Sequence, residues 1–321
     1  ALREVDALFQ ERAGWSILDE LLADEQSSRM ARNEIAQPAN LLIQVGLTRL
    51  LLAWGPPPDA ILGHSVGEVA AAWAAGCLSL PEAVTVSVHR SRLQQRAAGQ
   101  GEMLALGLGR EAAETLIEGL PVVVAADNAP DMVTLAGPNA ALEEVSSRAE
   151  AEGVFARPVR VEVPYHSPAM DPLREEMLAS LQELRPKAPT LPLYSTLTGR
   201  QVEGAVHDAA YWWGNTRQPV SLLQAVGVAL DDGMRLFQEL GPHPVLGPSI
   251  QATLRARAIQ GRTLHSLRRG QDERRELLAA LGDAWLAGHP LRWEALAPEG
   301  RRLDLPRTPW QRGHHLSLIH I

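Results

Sequence analysis

Apolar residues in the first third of the chain recur with a helical period. Leu41, Val45, Thr48 and Leu52 share one face, the spacing of a helix packed along one side. Pro56-Pro57-Pro58 ends it, because proline has no N–H to donate and crowds the preceding turn. Ala60-Ile61-Leu62 is short, apolar and bounded by turn residues, which predicts a buried strand. Val66, Val69, Ala70 and Trp73 then return to helical spacing, with Gly76 as the C-terminal stop. Ser79 and Glu82 form a capping-box pattern with Pro81 in the first turn. The helix they open carries Val84, Val88 and Arg90 and ends near Gly99.

Residues 101–166 change character. Met103–Leu108 reads as a strand, Glu111–Glu118 as a helix, and Val122–Ala126 and Val133–Ala136 as strands with Asn128-Ala129-Pro130-Asp131 turning between them. Asn139–Ala151 is helical, and Val159, Val161 and Val163 alternate with Arg160 and Glu162 as in a half-buried strand. The order βαββαβ is that of a ferredoxin-like unit. A helix bearing Leu173, Met177, Leu181 and Leu184 follows, then a proline-rich connector over Pro186–Pro192.

The expected fold is therefore α/β. Residues 1–100 and 167–296 form a large core, and residues 101–166 a small ferredoxin-like subdomain inserted in it. Residues 297–315, rich in Arg and Pro, read as a linker. Residues 316–321 read LSLIHI, the translation of a transposon end used in sequencing libraries, and are set aside as a non-native tail.

Composition narrows the function. The chain has 321 residues, 45% of them apolar and 21% charged, with a formal charge of -8. That suits a packed globular protein and not a nucleic-acid binder, which needs a basic footprint. A single cysteine, Cys77, forms no intrachain disulfide and reads as a buried small hydrophobe. The longest apolar runs, such as Leu50–Trp54, fall short of the roughly 18 residues of a membrane span, and the N-terminus has no signal pattern. A cytoplasmic protein without membrane or nucleic-acid partners is expected.

Gly63-His64-Ser65-Val66-Gly67 lies between the predicted strand and helix, the context of a G-x-S-x-G nucleophile elbow. A sharp turn lifts the serine hydroxyl clear of the sheet, and neighbouring segments leave room only for small residues at positions 63 and 67. It also sets Ser65 at a helix N-terminus, where the Val66 N–H is placed to receive an oxyanion. A serine hydroxyl needs a base. His207, His265 and His289 stand in polar or turn-like contexts and read as surface residues. His243 reads as a turn residue, and His314 and His315 abut the tail. His166, in Pro164-Tyr165-His166-Ser167-Pro168, stands out at a strand-to-helix junction, although a satisfied structural histidine fits that pattern equally well. Arg90, taken alone, reads as a solvated helix arginine.

Five segments occur in one order: GHSVGEVAAA from Gly63, RSRL from Arg90, VPYHSPAM from Val163, YWWGNTRQPV from Tyr211 and GPHPVL from Gly241. From about Gly14 to Arg312 the chain resembles acyltransferase domains of type I modular polyketide synthases, relatives of malonyl-CoA:acyl-carrier-protein transacylases. The resemblance implies an α/β-hydrolase-like core carrying the small subdomain. It implies Ser65 as nucleophile, His166 as general base, Val66 N–H in the oxyanion hole, and the Asn215 backbone carbonyl as the group orienting His166. It further implies Gln37, His64, Arg90 and Tyr165 as lining the substrate pocket, with Arg90 gripping the free carboxylate of a malonyl group.

No cofactor or metal is implied. The resemblance implies malonyl-CoA as donor and the phosphopantetheine of an acyl carrier protein as acceptor, with a ketosynthase and other synthase domains as partners. The resemblance implies malonyl in preference to methylmalonyl, because in the family a bulky residue such as Tyr165 before the histidine, and a residue other than glutamine such as Val66 after the serine, accompany malonyl use. Residues 305–312 resemble the linker that wraps back after such domains. In the family a strand and a glycine-glutamine-rich turn supply a second oxyanion N–H, and this chain starts after the point where that turn is expected. Two rivals remain at this level: an α/β-hydrolase esterase or thioesterase, and a non-catalytic surface that docks a carrier protein.

Overall fold

The computed structural model describes residues 2–24 and 26–296; the expected linker and tail, with His314 and His315, lie outside them. The chain opens with helices α1 (Leu2–Ala13), α2 (Ile17–Leu22) and α3 (Asn33–Trp54). By length and composition α3 could cross a membrane. Here it is a core helix: Leu41, Leu42 and Val45 are buried in the main cluster with Val69, Val84 and Leu93. Then come β1 (Ile61–Gly63), α4 (Gly67–Ala74) and α5 (Leu80–Gln95). The Ser79–Glu82 capping box forms as predicted, and Gly76, at φ +79°, takes the left-handed turn that ends α4. Cys77 is fully buried, and burial pushes its thiol up to about 11, so it serves as a packed hydrophobe.

The ferredoxin-like unit is present: β2 (Glu102–Leu106), α6 (Arg110–Leu116), β3 (Val123–Ala129), β4 (Met132–Gly137), α7 (Asn139–Ala151) and β5 (Ala156–Val159). Its four strands lie in the order β5-β2-β4-β3, all antiparallel. Two features of it differ in place from the sequence reading. The β3–β4 turn is tighter, because β3 runs on to Ala129. The last strand lies earlier, at Ala156–Val159, so Val161 and Val163 continue as irregular chain. Val163 is nevertheless buried, in the main core, which is the reason for its apolar alternation.

A 3-10 helix (Pro168–Leu173) leads into α8 (Arg174–Ser180). This is shorter than the predicted helix; Leu181 and Leu184 follow it and still reach the core. Next are β6 (Leu193–Ser195), β7 (Arg200–Gln201), α9 (Ala209–Arg217), β8 (Val220–Ser221), α10 (Leu222–Asp231), β9 (Leu236–Glu239), α11 (Gly247–Ala256), β10 (Arg262–His265), α12 (Glu273–Leu286) and α13 (Trp293–Leu296). In the large core β1 pairs parallel with β6, and β9 with β10. The short β8 leaves the large core to pair parallel with β3, Ala126 opposite Val220. A fifth strand thus joins the small sheet just after α9.

Candidate active site

The elbow is built on a backbone that few residues tolerate. Ser65 sits at φ +50°, a left-handed conformation disfavoured for a residue with a Cβ. At Gly63 a Cβ would lie 2.5 Å from the Glu68 Cα, a backbone atom that cannot yield. Gly67 is different. A Cβ there would meet only the Gln44 amide at 3.6 Å, an ordinary contact, so the expectation that position 67 must be small is corrected. Among the described residues the Val66 N–H has no hydrogen-bond acceptor, which leaves it free at the mouth of α4.

The Ser65 hydroxyl lies 2.8 Å from His166 Nε2. His166 is 4% exposed and also takes a left-handed backbone, at φ +57°. Its Nδ1 donates to the backbone carbonyl of Gln218 at 2.9 Å. That bond fixes the proton on Nδ1 and leaves Nε2 unprotonated toward the Ser65 hydroxyl, an orientation that a carbonyl secures as well as a carboxylate does. The orienting carbonyl belongs to Gln218, three residues past Asn215. Because α9 ends at Arg217, the Gln218 carbonyl is clear of helical bonding, whereas that of Asn215 points along the helix. Asn215 acts through its side chain: Nδ2 donates to the Ser65 carbonyl at 3.2 Å, and Oδ1 accepts from Arg90 Nε at 3.1 Å.

Arg90 is not a solvated helix arginine. It is 1% exposed, and its Nη2 lies 3.2 Å from the Ser65 hydroxyl. Nη1 donates to Gln37 Oε1 at 2.6 Å and Gln94 Oε1 at 3.1 Å. Gln37 is held in turn by Asn33 and Gln94. No carboxylate forms an ion pair with Arg90 among the described residues. Burial lowers its pKa to about 10, so the guanidinium stays charged at neutral pH. Burial, then the Arg90 charge, then His64, lower His166 to about 3. Its imidazole is thus neutral and ready to accept a proton.

Tyr165 is partly buried against the core, and its hydroxyl donates to Asn33 Oδ1 at 2.6 Å. His64 Nε2 meets Asn128 Oδ1 at 3.1 Å, and Asn128 Nδ2 donates to Thr134. The elbow is thereby tied to β3 of the small subdomain. The predicted residues Gln37, His64, Ser65, Val66, Arg90, Tyr165, His166 and Asn215 all gather at this one place. Asn33, Gln94, Asn128 and Gln218 join them without having been foreseen. Asn33 with Gln37 and Arg90 with Gln94 are polar pairs at i, i+4, a signal of facing polar patches that was legible in the sequence. A backbone carbonyl such as that of Gln218 leaves no such signal.

Other histidines stand elsewhere. His207, expected at the surface, is 1% exposed and packs against Tyr211 and Trp212. His265 pairs with Glu276, and His289 is half-buried. No cluster of potential metal ligands occurs among the described residues.

The sequence matches the family described as acyl transferase domain over residues 1–290. The polyketide synthase GfsB of Streptomyces halstedii is 36% identical over 94% of this chain. The spectinabilin polyketide synthase system protein NorC of Streptomyces orinoci is 37% identical over 97% of it. The chain spans only 6% and 14% of the length of those relatives. Among solved structures, the acyltransferase domain from module 8 of the salinomycin polyketide synthase superposes with a TM-score of 0.89 at 33% identity, covering 92% of this chain and 70% of that one.

Proposed function

Since the chain belongs to the acyl transferase domain family, as an acyltransferase domain of the polyketide synthase type, we propose that Ser65 carries a malonyl-type extender unit. It takes the unit from a coenzyme A thioester and passes it to the phosphopantetheine thiol of an acyl carrier protein. One observation supports this above the rest: Arg90 is a buried cation beside the nucleophile whose hydrogen-bond acceptors are all uncharged. A buried charge without a counter-ion costs several kcal/mol. The free carboxylate of a malonyl group supplies that counter-ion and matches the planar two-pronged donor. An acetyl group leaves the cation unpaired.

The chemistry runs as two mirror-image transfers. Ser65 Oγ attacks the thioester carbonyl while its proton passes to His166 Nε2, 2.8 Å away. The tetrahedral oxyanion faces the free Val66 N–H and the N-terminus of α4. Collapse expels the coenzyme A thiolate, which takes the proton from His166, and leaves an ester on Ser65. The carrier thiol then gives its proton to His166, attacks the ester, and Ser65 leaves with its proton restored. Tyr165, pinned by Asn33 beside His166, occupies space that an α-methyl requires, so malonyl is preferred to methylmalonyl.

Incubation with malonyl-CoA followed by mass spectrometry tests the reading. One malonyl mass is expected on the Ser65 peptide, and none in Ser65→Ala. Persistence of the adduct in Ser65→Ala, or acetyl loading as fast as malonyl loading, overturns it.

A further inference from the structure

Glu68 is 3% exposed and lies three residues past the nucleophile, in the first turn of α4. Burial pushes its carboxyl up, against the pull of its hydrogen-bond donors. Oε1 accepts from the backbone N–H of Thr196 at 2.7 Å and of Leu197 at 3.0 Å, just past β6. Oε2 accepts from the Tyr211 hydroxyl on α9, which also bonds Ser195 at 2.7 Å. A deeply buried carboxyl with this many partners is a costly feature for a core, and the transfer chemistry above makes no use of it.

Its value lies in what α9 carries. Tyr211 and Asn215 are spaced i, i+4 on one face of α9, and Gln218 follows the helix directly as its C-cap residue. Tyr211 meets Glu68, Asn215 holds Arg90 Nε and the Ser65 carbonyl, and the Gln218 carbonyl holds His166. The Glu68 N–H donates to that same Ser65 carbonyl at 3.0 Å. The contacts close a ring from Ser65 to Glu68, across to Tyr211, along α9 to Asn215 and back to Ser65. We infer that Glu68, through Tyr211, is a positioning residue: it locks α9 to the nucleophile's own helix and so sets the distances of His166 and Arg90 from Ser65. A shift of α9 by a fraction of an ångström would loosen both partners together, and misplacement of that order is costly to catalysis.

The inference rests on the proposed roles of Ser65, His166 and Arg90, so its test includes a readout that needs no acyl substrate. In the intact chain, Tyr211→Phe removes only the hydroxyl that joins Glu68 to α9. Tyr194→Phe is the control, since Tyr194 is also buried and its hydroxyl bonds Asp232 away from the site. The rate at which a fluorophosphonate probe labels Ser65 reports the reactivity of the Ser65–His166 pair without requiring a malonyl carboxylate. We expect Tyr211→Phe to slow labelling about tenfold or more and to shift the pH midpoint of labelling, with Tyr194→Phe near wild type. Glu68→Ala should lose more than Glu68→Gln, whose amide oxygen still accepts from Thr196 and Leu197. With malonyl-CoA, the Tyr211→Phe loss should appear in both kcat and KM, because Arg90 moves too. Wild-type labelling rates and an unchanged pH profile in Tyr211→Phe, or an equal loss in Tyr194→Phe, overturn the inference. Should wild type label with the probe yet accept no malonyl-CoA, the proposed substrate fails while the positioning role is still decided by the probe.

Discussion

Arg90 Nη2 lies 3.2 Å from the Ser65 hydroxyl, close enough for one guanidinium to touch the nucleophile and the carboxylate of an arriving acyl group. The same charge lowers the pKa of His166. A bound carboxylate would cancel part of that charge, so under the proposed function a dicarboxylic substrate would raise the basicity of His166 while a simple acyl group would not.

Arg90→Ala should therefore damage malonyl transfer far more than acetyl transfer. Truncating one member of a buried charged pair costs about 2–5 kcal/mol, or roughly 30-fold to several-thousand-fold in kcat/KM. Side-by-side kinetics with malonyl-CoA and acetyl-CoA check this, and equal losses on both would make Arg90 a structural residue.

Stability should fall in mild acid. The native pKa of His166 is near 3 and that of an unfolded histidine about 6.5. Between those values the unfolded chain binds more protons, so lowering the pH from about 6.5 toward 3 costs stability, and above 6.5 His166 contributes no slope. His207, lowered by burial to about 4, acts in the same sense over a narrower window. Urea midpoints at pH 7 and pH 5 should converge in His166→Gln relative to wild type; an unchanged gap would mean that His166 is not held neutral.

Tyr165→Ser should raise use of methylmalonyl-CoA relative to malonyl-CoA. A methyl group is worth about 1–3 kcal/mol of discrimination, so the ratio should move roughly 5- to 160-fold. Tyr165→Phe keeps the ring but loses the bond to Asn33, and should hold the wild-type preference. Competition between the two thioesters separates the steric account from one based on the hydroxyl.

The two elbow glycines should respond in opposite ways. Gly63→Ala places a methyl 2.5 Å from the Glu68 Cα and should abolish Ser65 labelling and lower the melting temperature. Gly67→Ala meets no backbone, and alanine is favoured over glycine in a helix by about 1 kcal/mol. It should be neutral or stabilising in thermal unfolding, provided the Gln44 amide yields as little as its 3.6 Å spacing requires.

The sequence by itself determined the elements and the chemistry that local patterning encodes. Helical spacing located α3, α4 and α7, the capping box placed the start of α5, and the βαββαβ order identified the small subdomain. The turn at Ser65 was legible because an elbow is a local structure, and Gly63 because that turn demands a residue without a Cβ. Tertiary structure decided what local pattern cannot carry. Arg90 looked solvated because helix periodicity does not say what covers a face; α3 and α9 cover it, supplying Gln37 and Asn215. The group orienting His166 proved to be the Gln218 carbonyl, a backbone atom present at every residue and selected only by where α9 stops. His207 read as exposed from polar neighbours, but the rings of Tyr211 and Trp212 bury it. Val161 and Val163 alternated like a strand because they line a core, while the sheet had already ended at Val159. Contacts between segments far apart in sequence set these outcomes, and their physics resides in the packing of α3, α5 and α9 around one serine.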